Sequence, residues 1–414
     1  MEQAATSGDG ADAPRQPGVV IAPAAVGVLI LSYSINAMDR TLFPLLLTDV
    51  RNEYGFGLPE GGLLSTIFSL GMAVAGLPTG YLMSRYSRKT VMQIGMLIFS
   101  AGTLVTVLAV GFADMLAYRA VTGIGEAMQL TALLAIFSSY FSRYRASAVG
   151  GLNYAYAAGA IAGPAIGTYL LQSFGTWRAP MIVFGLIGFV MMAVVAVVVR
   201  PWLSEANAAQ HPEAKTTAGG ASTLMNLNTA LLTLLSILFG LALYGYLGMY
   251  PTFLREQLHF APTDVGRVMS TYGLGVLVSL GSGWFGDRFQ ANRTMSLSFL
   301  FAAAVCALLF NGPTSFPLQA AFSFALGVAF SGTIFVNLAG YHVKSVTGDL
   351  AGRASGLFIT SLYGAATVAG YMIGWLARQS GWTVAGNIQL VLLCLAGAAV
   401  SLMLRPKLMA QRAS

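Results

Sequence analysis

Long apolar runs alternate with short polar breaks along the whole chain. Twelve runs stand out, at 20–47, 61–83, 89–111, 114–139, 147–171, 179–200, 226–253, 264–286, 294–311, 315–342, 354–377 and 382–405. Each holds roughly 18 to 28 residues, which as a helix rising ~1.5 Å per residue crosses a ~30 Å hydrocarbon layer. Barrel strands would be about ten residues long with alternating polarity. The pattern therefore predicts an all-α membrane protein of twelve transmembrane helices. The longest polar break, 201–225, carries Pro212, Gly219, Gly220 and mixed charges, and it divides the runs six and six. The predicted organisation is a disordered cytoplasmic tail at 1–19, a six-helix bundle at 20–200, a cytoplasmic linker at 201–225, a second six-helix bundle at 226–405 and a cytoplasmic tail at 406–414. The opening residues, with Arg15 as their basic group, lack the positive start and short apolar core of a signal peptide.

Composition removes most other classes. Of the 414 residues 56% are apolar and only 9% are charged, where a soluble domain carries roughly a quarter charged. The solvent for this surface is lipid. The net charge of +7 does not point to nucleic acid, because basic residues of membrane proteins gather in cytoplasmic loops. With both termini inside, fifteen of the 22 Lys and Arg residues fall on the cytoplasmic side and five, among them Arg51 and Arg255, fall outside. That bias predicts a multi-pass plasma-membrane protein of the bacterial inner-membrane type. The other two, Arg40 and Arg119, lie within spans. Cys306 and Cys394 sit in apolar stretches without metal-ligand spacing and read as buried thiols. No phosphate-cradling loop, paired-histidine helix or Gly-x-Ser-x-Gly elbow is present. The chain is thus expected to be no enzyme and to need no cofactor or metal. Its expected partners are a small-molecule substrate, protons and membrane lipid, with no nucleic acid and a monomer as the working unit.

The halves also repeat in sequence. Gly80, Ser84 and Arg85 return as Gly283, Asp287 and Arg288, 203 positions later; Arg145-Ala146-Ser147 returns as Arg353-Ala354-Ser355 at 208; Gly163 and Gly167 return as Gly370 and Gly374 at 207. An ordered series at nearly constant offset predicts two parallel six-helix repeats, an arrangement that places a substrate site between them near the bilayer midplane.

Four ionisable residues fall inside the spans: Asp39 and Arg40 in the first, Arg119 and Glu126 in the fourth. Each costs about 2.5 to 3.5 kcal/mol to insert. Arg119 and Glu126, seven apart, share one helix face about two turns from each other. Counting inward from the outer helix ends puts Asp39 at ~12 Å and Glu126 at ~18 Å depth, so both carboxyls suit one cavity. Burial disfavours a charged carboxyl and a nearby guanidinium favours it. A substrate anion that occupies the arginine would withdraw that support and ease protonation, which is the basis of a coupling device. The structural alternative is a pair of ion pairs tying the first helix to the fourth. Polar and aromatic residues in other spans are candidates to complete a cavity or to bond between helices: Ser32, Asn36, Asn153, Tyr154, Tyr156, Tyr244, Tyr250, Asn337, Tyr341 and Tyr363.

Three motifs carry a resemblance. The loop Gly80-Tyr81-Leu82-Met83-Ser84-Arg85-Tyr86-Ser87-Arg88-Lys89 resembles the signature of the major facilitator superfamily at this position. Ser84 and Ser87 stand where that signature has an acid and a glycine, while the second-half copy keeps Asp287 with Arg288. Asn36-Ala37-Met38-Asp39-Arg40 and Arg119-Ala120-Val121-Thr122-Gly123-Ile124-Gly125-Glu126 resemble the first- and fourth-helix motifs of the superfamily's anion:cation symporter branch and of the related Spinster-like branch. The resemblance implies proton uptake at Asp39 and Glu126, an anion site at Arg40 with Arg119 tuning Glu126, and gating by Arg85, Arg88, Lys89, Asp287 and Arg288. Gly159-x-x-x-Gly163-Pro164-x-x-Gly167 is similar to a signature of drug:proton antiporters, though small residues every fourth position also let helices pack closely. The expectation is proton-coupled symport of a small organic anion, a carboxylate or sugar acid, by alternating access. Proton-driven efflux and Spinster-like transport of a lysolipid or other amphiphile are the alternatives.

Overall fold

A computed structural model describes residues 21–141, 145–206, 219–279, 281–282 and 288–410. Arg15, Gly283, Asp287 and the middle of the linker lie outside them. Apart from a bridge between Ala221 and Val346, the regular structure of the described residues is helical.

The first span is α1 (Ile21–Tyr54), and the second is α2 (Leu58–Thr66) followed by α3 (Phe68–Arg85). The third to sixth are α4 (Arg88–Thr106), α5 (Phe112–Tyr140), α6 (Arg145–Phe174) and α7 (Arg178–Val198), after which a short turn, α8 (Pro201–Ser204), opens the linker. In the second half, α9 (Leu227–Glu256) is the seventh span, α10 (Pro262–Val276) lies in the eighth, and α11 (Ala291–Asn311) is the ninth. The tenth joins α12 (Phe316–Gly327) through a π-helical stretch, Val328–Ile334, to α13 (Phe335–Lys344). The helix α14 (Ala351–Gly386) runs through the eleventh span and turns at Gly381, whose φ is 81°. The twelfth finishes with α15 (Leu393–Leu402). Gln389 Nε2 donates to the Ala369 carbonyl at 2.8 Å, so the chain doubles back on itself at that glycine. Nine helical runs among the described residues are long and apolar enough to cross a bilayer, and the run Gly348–Leu402 contains two of the predicted spans.

Local chemistry starts these helices where polar breaks end. Proline opens the first turn of α2, α10 and α12, where its missing N–H costs nothing. Asn226 caps α9 by accepting from Thr229 N at 2.9 Å, and the Asp114 carboxylate takes Val110 N at 2.6 Å and Gly111 N at 2.9 Å at the start of α5. The first helix runs to Tyr54, seven residues past its apolar run, because its polar end finds partners in the other half.

Those partners form a seal at the end away from the chain termini. A Cβ on Gly62 of α2 would lie 2.0 Å from the Gly370 carbonyl oxygen of α14, and one on Gly374 would lie 2.3 Å from the Leu58 oxygen. On the pseudo-symmetric side, a Cβ on Gly266 of α10 would lie 2.1 Å from Thr168 Oγ1 of α6, and one on Gly273 would lie 2.7 Å from the Ala160 carbonyl carbon. Backbone touches backbone there only because these positions lack side chains. Thr66 Oγ1 donates to the Thr367 carbonyl at 3.0 Å, and Ser270 Oγ donates to the Ile161 carbonyl at 2.7 Å. Two ion pairs complete the seal, Arg51 with Glu256 and Arg255 with Asp49. Toward the opposite end Gly76, Gly80, Gly151, Gly352 and Gly356 have nothing within 4 Å of an added Cβ.

Candidate functional site

At the middle of the first half α1 and α5 face each other with all four membrane charges. Arg40 Nε donates to Glu126 Oε2 at 2.9 Å, and Arg119 Nη1 stands 3.7 Å from Asp39 Oδ2. The pairing is crossed: each arginine's nearest acid belongs to the other helix. Asp39 Oδ1 also accepts from Thr103 Oγ1 of α4 at 2.8 Å. All four residues are buried, and the cluster sets two acids against two arginines.

The two arginines live in different surroundings. Arg119 is fully enclosed; its guanidinium lies 4.7 Å from the Phe43 ring centroid and 5.9 Å from that of Phe68. Its nitrogens have no hydrogen-bond partner among the described residues, so it is held by one loose ion pair and by ring faces. Arg40 instead lines a cavity of about 20 Å³ between the halves, together with Phe68 and Tyr156 of the first and Tyr244, Leu247 and Met269 of the second. Its guanidinium lies 5.9 Å from the Tyr33 ring, while Tyr244 sits 5.9 Å from Phe68 and 5.8 Å from Tyr363. Arg40 Nη2 and Glu126 Oε1 have no hydrogen-bond partner among the described residues. Buried polar atoms left unpaired are costly, and here they belong to the two partners of one ion pair, of which Arg40 lines the cavity.

A second layer fixes α1 against α5. Asn36 Nδ2 donates to Gln129 Oε1 at 2.9 Å and lies 3.4 Å from the Glu126 carbonyl, and Gln129 Nε2 donates to Ser32 Oγ at 3.2 Å. Asn36 thus supports the backbone of Glu126. Gly159, Gly163 and Gly167 of α6 approach the other side of α1: Cβ atoms there would lie 2.3 Å from the Ser34 oxygen, 2.6 Å from Thr41 Oγ1 and 2.5 Å from Leu42 Cδ1. The motif that includes Pro164 therefore presses α6 onto the helix that carries Asp39 and Arg40.

The other candidate residues spread more widely. Tyr244 and Tyr363 gather near Arg40, whereas Tyr154 Oη lies 3.4 Å from the Leu277 carbonyl of the other half. Asn337 turns to the carbonyls of Ser282 and Thr333, at 3.4 and 3.0 Å. Asn153 is half-buried on α6. Arg85 lies over the Tyr81 ring at 4.9 Å. Arg88 N and Lys89 N each donate to the Glu205 carboxylate at 3.2 Å, and Lys89 Nζ donates to the carbonyls of Ala196 and Val199 at 2.7 and 2.6 Å. Charges placed this way complement the start of α4 and the end of α7. Both contacts stay within the first half and the start of the linker. Asp287 lies outside the described residues.

Sequence reasoning missed Tyr33, Thr103 and Gln129. Each carried a signal: Tyr33 is seven residues before Arg40, Gln129 is three after Glu126, and Ser100, Thr103 and Thr106 form a buried hydroxyl row in the second half of α4.

Comparison with known proteins places this geometry. The chain is 32% identical over 235 residues to Protein spinster of Drosophila melanogaster, a match covering 54% of this chain and 39% of that protein. It is 24% identical over 344 residues to the 4-hydroxybenzoate transporter PcaK of Acinetobacter baylyi, covering 74% of each. Among solved structures, a bacterial homologue of the human lysosomal transporter Spinster, in an inward-facing and occupied conformation, superposes with a TM-score of 0.78 at 16% identity over 96% of this chain and 100% of that one. The family model described as Major Facilitator Superfamily matches residues 29–369 and 232–413, and this multi-pass membrane protein belongs to that superfamily.

Proposed function

We propose that the chain is a secondary transporter that couples a small organic anion, a carboxylate, to protons by alternating access between its two six-helix halves. The observation that carries this reading is the position of Arg40. It is the cluster's one cation at a cavity shared by both halves, and its partner there is the carboxylate of Glu126, 2.9 Å away.

An incoming carboxylate competes with Glu126 for the same guanidinium. Once displaced, Glu126 is a buried carboxyl deprived of its cation, and taking up a proton is its cheapest resolution. Asp39 takes the second proton, and the looseness of its contact with Arg119, 3.7 Å, makes separation cheap. The halves then close with the substrate carboxylate matched to Arg40 and both acids neutral, leaving the Arg119 cation against the Phe43 and Phe68 rings. With the termini cytoplasmic, the sealed end faces outward, and Arg85, Arg88, Lys89, Asp287 and Arg288 serve the inner gate. The name of one relative, a 4-hydroxybenzoate transporter, agrees with an anionic substrate.

Uptake into proteoliposomes from a panel of labelled carboxylates tests the reading. An inward proton gradient should drive accumulation. Glu126→Gln and Asp39→Asn should lose accumulation while retaining exchange across equal concentrations, and Arg40→Ala should lose both. Accumulation by the two neutralised variants would overturn the coupling, and accumulation in everted vesicles under an inside-acid gradient would make the protein an exporter.

A further inference from the structure

A second site lies far from the charge cluster, at the end of the molecule that bears the termini. Gln290 and Asn292, at the start of α11, together with Arg405, Pro406, Lys407 and Leu408, after the end of α15, line an open pocket of about 450 Å³ at the surface. Most of the pocket's surface is apolar, and among the described residues its lining includes two cations and two amides and no carboxylate.

This pocket is built rather than left by a loose tail. Arg405 N donates to Asn228 Oδ1 at 2.9 Å, and Asn228 Nδ2 donates to the Arg405 carbonyl at 3.0 Å. The 3₁₀ turn Pro406–Leu408 follows, Met409 is buried beneath it, and Ala410 N donates to the Lys344 carbonyl at 2.7 Å. The backbone of residues 405–410 is thus tied to α9 and α13 while the Arg405 and Lys407 side chains stay exposed. The first turn of α11 adds the positive end of a 21-residue helix, and its N-cap residue Gln290 makes no side-chain cap.

Position decides which anion fits. Both α11 and α15 meet the pocket at the boundary of their apolar runs, which is the depth of phospholipid headgroups. Directly below, Leu297, Leu300, Phe301 and Leu308 form an exposed stripe down α11, and Leu402 and Met403 are about 60% exposed beside it. A phosphate group in the pocket with acyl chains along that stripe satisfies both surfaces. A free phosphate would use only the first.

We propose that this pocket binds the phosphate of an anionic phospholipid, with Arg405 and Lys407 as its charge partners and the α11 stripe as its acyl track. The site does not depend on the substrate reading.

The test uses the full chain in nanodiscs and detergent. Native mass spectrometry should show phosphatidylglycerol retained over phosphatidylcholine, and Arg405→Gln and Lys407→Gln should each lower that preference about five-fold. Arg405→Lys with Lys407→Arg, which keeps both charges, should retain it, and this variant also controls for folding. Equal retention in the neutral double variant would overturn the proposal. Inorganic phosphate that raises the detergent unfolding temperature as much as the lipid does would overturn the lipid assignment.

Discussion

The molecule contains two crossed sets of ion pairs with the same chemistry and opposite tasks. In one, Asp39 and Arg40 of α1 pair with Arg119 and Glu126 of α5, all buried within one half. In the other, Asp49 and Arg51 of the same helix pair with Arg255 and Glu256 of α9, part-exposed and joining the two halves. About two and a half turns of α1 separate Arg40 from Asp49. Solvent makes the difference. A buried pair contributes little net stability but is costly to break singly, so the inner set holds its protonation states in strict dependence on each other. Access to solvent and screening by salt hold an exposed pair to about 1 kcal/mol, so the part-exposed outer set suits a latch that opens and recloses at little cost.

The largest effect should come from removing one inner partner. Arg40→Ala strands Glu126 and should cost about 3 to 5 kcal/mol, visible as a lowered unfolding temperature that partly recovers at low pH, as protonation removes the stranded charge. Glu126→Gln with Arg40→Met removes both charges and should recover most of the loss. If the double variant is as unstable as Arg40→Ala, the two residues are not a coupled pair.

Next comes the seal itself. Gly62→Val drives a side chain into the Gly370 backbone, where a Cβ alone would lie 2.0 Å from the carbonyl oxygen. Overpacking of this kind costs about 1 to 3 kcal/mol. It should push the halves apart at that end, so a cysteine placed at Ser65 should become more reactive to a water-soluble maleimide. Unchanged reactivity would mean the glycine contact does not hold the seal.

A smaller shift is expected for Arg51→Gln and Arg255→Gln, at most about 1 kcal/mol each. High salt should mimic them in the wild type, and exchanging the charges as Arg51→Glu with Glu256→Arg should restore the closed population. The smallest is Glu205→Gln, which weakens the charge at the start of α4 and should cost about 0.3 to 1 kcal/mol with no change in substrate exchange.

These contrasts also mark how far the sequence could be read. The spans were legible because lipid demands about 20 apolar residues in a row, and the four inner charges because each is costly in such a run. Their partners were not. Arg119 shares a helix face with Glu126, yet its nearest acid is Asp39, since pairing depends on how α1 and α5 are rotated against each other. The outer set was misjudged for a different reason: Arg51 and Arg255 have the position and composition of ordinary loop-flanking charges and were counted only as markers of topology. Nothing local distinguishes a latch from a flank; the distinction lies in a partner 205 residues away for Arg51 and 206 for Arg255. The glycines were legible as small residues at helical spacing, but which helix each one admits is a property of the assembled bundle.

The turn at Gly381 bears on how the protein enters the membrane as it is made. The helical run around it, Gly348–Leu402, is 55 residues long and would be a rod of about 80 Å if straight, against a ~30 Å hydrocarbon layer. One left-handed residue folds that rod into a hairpin with almost no connecting loop. The eleventh and twelfth spans therefore share almost no connecting loop, a geometry suited to insertion as a single hairpin. Replacing Gly381 with a β-branched residue would disfavour that torsion, and the fault would show first in the yield of inserted protein rather than in the transport rate of the molecules that succeed.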